Sequence, residues 1–187
     1  IPCYAMIRPR AGDFCFDSVE VDIMLADIAA ARNAGLAGVV LGAATATNLL
    51  DVATLARLCS QAQGIGKTLH RVIDLLADPL RAVDQAIELG FDRILTSGGA
   101  LTAPQGRSTL AAMQAHSRGR IVIMAGSGVT AANAAGLMRE TGIRSLHASC
   151  SRTDQSPAGL ARMGFAPTTV RRTDAGQIAA LKRVSDM

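Results

Sequence analysis

Aromatic side chains are nearly missing from this 187-residue chain, which has no Trp, one Tyr and four Phe. That leaves no stacking platforms of the kind a nucleic-acid reader uses. The formal net charge of +4 comes almost wholly from Arg scattered through every segment and not gathered in a run, which describes a solvated surface and not a polyanion groove. Lysine is scarcer still: only Lys67 and Lys182 occur, and neither follows a predicted strand, so Schiff-base chemistry is not expected. No apolar run approaches the roughly 18 residues of a membrane span. Cys3, Cys15, Cys59 and Cys150 form no CxxC pair, and a chain of this size does not depend on disulfide staples. A reducing, cytoplasmic setting is expected. No signal peptide is recognisable, although the chain opens Ile-Pro without a Met. The glycine-rich fingerprint of a dinucleotide site is also missing, and no organic cofactor is expected.

What is present is a core-forming composition, 49% hydrophobic and built from Ala, Leu, Ile, Val and Met, enough for one domain over 1–187. Short β-branched runs recur at 2–7, 37–41, 68–72, 92–96, 120–124 and 144–148, with starts about 25 to 35 residues apart. Helix-period segments with end signals lie between them. Asp17 and Glu20 form a capping box that Gly35 closes, and Asp51 opens a helix that ends by Gly64. Asp78-Pro79 opens another that Gly90 ends, and Thr130 one that Gly142 ends. Alternating strands and helices require parallel pairing through right-handed crossovers, so the class is α/β. The regular unit length favours a (β/α)8 TIM-type barrel over a doubly wound sheet. Eight such units need about 250 residues; six are countable here.

In this architecture chemistry gathers where strands end. Arg8, Arg10 and Asp13 follow the first run, and His70 and Asp74 lie at the end of the third. Ser97, Gly98 and Gly99 follow the fourth, Gly126, Ser127 and Gly128 the fifth, and His147 belongs to the sixth. The two glycine turns allow close backbone approach to a phosphate or carboxylate, the second at a helix N-terminus. Arg8 and Arg10 alternate about Pro9 and are candidates for an anion clamp, or else for pairing with rim carboxylates. Asp74 is placed to orient His70, and His70, Asp74 and His147 are the candidate proton-transfer groups.

At these same segments the sequence resembles the CutC family, whose members are commonly assigned to copper homeostasis. The matching stretches are Met-Ile-Arg-Pro-Arg-Ala-Gly-Asp-Phe at 6–14, His-Arg-Val-Ile-Asp at 70–74, Arg-Ile-Leu-Thr-Ser-Gly-Gly at 93–99, Ile-Val-Ile-Met-Ala-Gly-Ser-Gly-Val at 121–129 and Leu-His-Ala-Ser at 146–149. The resemblance implies a TIM-type barrel, a cytoplasmic location, a homo-oligomer and a link to copper, but no reaction. The family usually has Gly where this chain has Ala11 and Ser127, and Pro where it has Ala125. It also implies two further βα units ahead of Ile1, bearing the cysteines proposed for copper.

Two functions stand as expectations. The first is copper binding, which needs soft ligands on one point; Cys15 and Cys150 come after the first and last runs, though their spacing does not show that they meet. The second is an enzyme acting on a small anionic or phosphorylated metabolite at the barrel mouth. Further expectations are that Arg8, His70, Asp74 and His147 converge on one cavity, and that 151–167, rich in Ser, Gly, Arg and Pro, is a structureless loop covering it. A gap is expected between the strands at Tyr4 and His147.

Overall fold

The computed structural model describes residues 1–185. Six parallel strands pair in strict chain order: β1 (Tyr4–Met6), β2 (Gly38–Leu41), β3 (Gly66–Leu69), β4 (Arg93–Thr96), β5 (Val122–Ala125) and β6 (Ser145–Leu146). Order without reversal is that of a barrel wall, since a doubly wound sheet turns back at a switch point. Returning helices are α1 (Ser18–Asn33), α2 (Val52–Gln61), α3 (Pro79–Glu88), α4 (Arg107–Ser117) and α5 (Ala131–Thr141). Among the described residues β1 pairs only with β2 and β6 only with β5, so the expected opening between them is observed.

The end signals act as the sequence predicts. Asp17 accepts the Glu20 N–H at 2.9 Å while the Glu20 carboxylate accepts the Asp17 N–H at 3.0 Å. Asp51 caps α2 and Asp78 caps α3, each accepting an amide at 3.0 Å. Leu41, Leu69, Ile94 and Ile123 share one register row across β2 to β5 and are no more than 1% exposed. With Met24, Ile28, Leu55, Leu58, Val83, Leu110 and Met113 they form the layer between sheet and helices, a burial that supplies most of the driving force for the fold.

Two segments depart furthest from the sequence reading. The third strand ends at Leu69 and not at Val72, because His70 Nδ1 accepts the Val72 N–H at 3.2 Å and starts a 3-10 turn over Arg71–Leu75. The expected loop over 151–167 is instead the strand β7 (Ser151–Gln155) and the short helix α6 (Ala158–Arg162); β7 pairs antiparallel with β8 (Thr169–Thr173). This ribbon has no apolar alternation for a period-2 reading to find, because both of its faces are largely exposed. The helix α7 (Ala175–Ser185) comes next and packs beside α5. No helix among the described residues is long and apolar enough to cross a membrane.

Candidate functional site at the strand ends

Two cavities open beyond the C-terminal ends of the strands, and Arg71 lines both. The first, about 430 Å³, is bounded by Arg8, Phe14, His70, Asp74 and the apolar Met6 and Leu75. The second, about 390 Å³, is bounded by Ser127, Gly128, Thr130, His147, Cys150 and Arg171 among others. The expected convergence of Arg8, His70, Asp74 and His147 on a single cavity therefore fails: the first three share one cavity, and His147 lines the neighbouring one.

His70 follows β3 and caps the 3-10 turn, and its ring needs Gly42 on the adjacent strand end: a Cβ there would stand 2.5 Å from His70 Cε1 and 2.6 Å from Nδ1. The side chain is 4% exposed. Burial lowers its pKa to about 4, with the Arg8 charge adding to the effect, so the ring is neutral near pH 7. Because Nδ1 accepts a backbone N–H, the single proton lies on Nε2. Asp74 does not orient this ring. Its carboxylate accepts Arg71 Nε at 2.7 Å, the Thr96 hydroxyl at 2.6 Å, the Ser97 N–H at 3.0 Å and the Gly99 N–H at 3.0 Å. Burial alone would raise the Asp74 pKa, but the donors from Thr96, Gly99, Arg71 and Ser97 outweigh it and hold it below the usual carboxylate value.

The first glycine turn is thus organised around an internal anion. The amides of Ser97 and Gly99 are spent on Asp74, and the Gly98 N–H goes to Thr96 Oγ1 at 2.9 Å. The second turn differs. Ser127 adopts φ 74° and Gly128 φ 70°, Ser127 Oγ donates to the Leu101 carbonyl at 2.9 Å, and the turn leads into α5, where Asn133 caps the Thr130 N–H at 2.9 Å. Ser127 holds a left-handed conformation that favours glycine. Gly126 lies under His147: a Cβ at this glycine would stand 3.5 Å from His147 Cβ and 2.5 Å from Leu95 Cδ1.

Arg8 and Arg10 diverge despite their alternation. Arg8 donates to the Gly12 carbonyl at 2.6 Å and lies 4.4 Å over the Phe14 ring. Arg10 turns to Glu20, Asp13 and the Cys15 carbonyl and lines neither cavity; its bonds to Glu20 and then Asp13 raise its pKa and lower that of Asp13. These two residues rigidify the rim. Cys59 is buried and its thiol is pushed up to about 11 by that burial. Arg71 and Arg171 are functional candidates that sequence reasoning passed over. Arg71 was legible as the neighbour of His70, but Arg171 comes from the unforeseen ribbon, where it donates to the hydroxyls of Ser151 at 2.9 Å and Ser149 at 3.0 Å.

The CutC family model matches residues 1–152. A CutC family protein of Sinorhizobium medicae is 50% identical over 189 aligned residues, covering 100% of this chain and 76% of its own length. One from Caulobacter vibrioides is 46% identical, covering 96% of this chain and 74% of its own. Among solved structures, the CutC protein of Streptococcus agalactiae, named for copper homeostasis, superposes with a TM-score of 0.73 at 34% identity, covering 76% of this chain and 70% of that one. A native KDPGal structure at 17% identity and TM-score 0.53, covering 93% of this chain and 66% of its own, shares the fold alone. With a family match over most of its length and relatives at this level of identity, the chain belongs to the CutC family.

Proposed function

We propose that the chain binds a small anionic metabolite, phosphorylated at one end, in the cavity beyond β5 and β6. The observation behind this reading is the composition of the wall: Arg71 and Arg171 line it, no Asp or Glu does, and the positive end of α5 opens on it at Thr130. Arginine forks and a helix N-terminus are the usual means of holding a phosphate. Arg71 is steadied by Asp74 and by Ser97 Oγ at 2.6 Å, leaving part of its fork for a ligand. In a reaction on such a ligand, proton transfer falls to His147, which is exposed in this cavity, and not to the buried His70. Thermal-shift titration with inorganic phosphate and a panel of phosphorylated metabolites tests the reading. Saturating ligand is expected to add about 3 kcal/mol at a hundredfold excess over Kd, and Arg171→Ala to remove most of the gain. No saturable stabilisation by any of them overturns it.

Copper is the second reading, favoured by the presence of His147 and Cys150 on the wall of the same cavity. An imidazole and a thiolate are ligands that suit Cu(I). Among the described residues no group of three or more His, Cys, Asp or Glu is placed to hold a metal, so this reading rests on these two donors alone. Competition for Cu(I) against a chromophoric chelator should show one equivalent that Cys150→Ser abolishes. The four free cysteines support the reducing, cytoplasmic setting that this reading requires.

A further inference from the structure

Two buried nitrogen donors at the mouth have no protein partner: Arg8 Nε and His70 Nε2. Unpaired buried donors are rare because each forfeits its hydration without replacement. Both belong to residues that line the cavity between the ends of β1 and β3. One aromatic ring stands against both: the Arg8 guanidinium lies 4.4 Å from the Phe14 centroid, and the His70 ring centroid is 4.8 Å from it. Both side chains are held in place by other contacts. The His70 ring is fixed by the Val72 amide on its other nitrogen and by the close approach of Gly42, and Arg8 is tethered to the Gly12 carbonyl.

We propose that this cavity is a carboxylate subsite, in which a ligand carboxylate displaces the Phe14 ring and accepts the N–H groups of Arg8 Nε and His70 Nε2 while an apolar body rests on Met6 and Leu75. A carboxylate fits because its two oxygens can each accept one donor, one of the donors being charged. The walls select an apolar remainder for the ligand, since Met6 and Leu75 are apolar and already 56% and 59% exposed. His70 serves here as a fixed neutral donor. With its proton on Nε2 and its other lone pair engaged, it is neither a general base nor a metal ligand in this arrangement. A neutral imidazole aimed at a developing negative oxygen is an effective electrophile. The subsite stands whether or not phosphate binds in the neighbouring cavity.

Nitrogen-15 NMR of the full chain, followed by titration with butyrate, tests the proposal. The expected result is a neutral ring protonated at Nε2 at pH 7, with the His70 resonances moving saturably on addition of butyrate. His70→Phe should weaken butyrate at least about tenfold, the loss of one charge-assisted hydrogen bond, while leaving inorganic phosphate binding unchanged, and His70→Gln should restore part of the affinity. A proton on Nδ1, a ring that titrates near its ordinary value, or His70 resonances unmoved by butyrate overturns the proposal on the wild-type protein alone, independently of whether the variants fold.

Discussion

Gly99 donates its backbone N–H to Asp74 Oδ1 at 3.0 Å, so the glycine turn after β4 closes around the protein's own carboxylate. An internal anion in a nest of amides does what a bound phosphate does elsewhere, fixing a loop by charge-assisted bonds. It also holds Arg71, the one residue shared by both cavities. On the reading proposed above, Asp74 is a positioning residue that acts on binding through Arg71.

Asp74→Asn keeps the shape but replaces an acceptor-only carboxylate with a neutral amide that presents donors to donors. With the side chain only 6% exposed, the expected loss is about 2 to 4 kcal/mol of stability. Urea unfolding measures it. A loss below about 1 kcal/mol would show that the loop does not depend on this anion.

Gly98 and Gly64 both have positive φ, 74° and 84°, yet alanine should affect them unequally. A Cβ on Gly98 meets the Gly106 carbonyl oxygen at 2.4 Å, whereas Gly64 has nothing within 4 Å. Gly64→Ala is expected to cost about 1 kcal/mol, the left-handed backbone term alone, and Gly98→Ala at least twice that, because backbone must move. Equal midpoints in denaturant for the two variants would contradict the packing described around residues 97–106.

The barrel wall was legible because each capping signal acts locally: Asp17, Asp51 and Asp78 bond within three residues of themselves. What sequence left open was which polar group meets which. Asp74 lies four residues from His70 and looked like its partner, but it bonds to Ser97 and Gly99 across 23 and 25 residues, a pairing that only register and the 3-10 turn decide. The ribbon was invisible for another reason: Arg171, opposite Thr153, reaches diagonally to Ser151 on strands with exposed faces, so no periodic apolar signal announces them.

Stability should fall between pH 6.5 and 4 on account of His70. Its folded pKa is lowered to about 4 by burial, below the unfolded value near 6.5. The unfolded chain therefore takes up the proton first, so the fold is fully stable above that value and loses about 3 kcal/mol as pH drops towards 4. Asp74, whose pKa is lowered, contributes stability that is lost only on further acidification, below its unfolded value. Denaturant midpoints across pH 4 to 7 give the check: His70→Phe should flatten the slope in that window, and an unchanged slope would mean that another group is responsible.

The four thiols should separate by accessibility, and the separation bears on copper. Cys3 is exposed, Cys15 and Cys150 are half-buried, and Cys59 is buried with its thiol pushed up to about 11. Since the thiolate is the reactive form, iodoacetamide at neutral pH is expected to modify Cys3 first and to leave Cys59 untouched until the chain unfolds. Cys150 should react at an intermediate rate through the cavity it shares with His147. If that pair holds Cu(I), one equivalent of the metal protects Cys150 and leaves the labelling of Cys3 as it was, read by peptide mass after digestion. Protection of Cys3 or Cys15 in place of Cys150 would move the copper site out of this cavity. Equal labelling of all four with or without metal would remove the two-donor reading and leave the anion cavity as the function of this mouth.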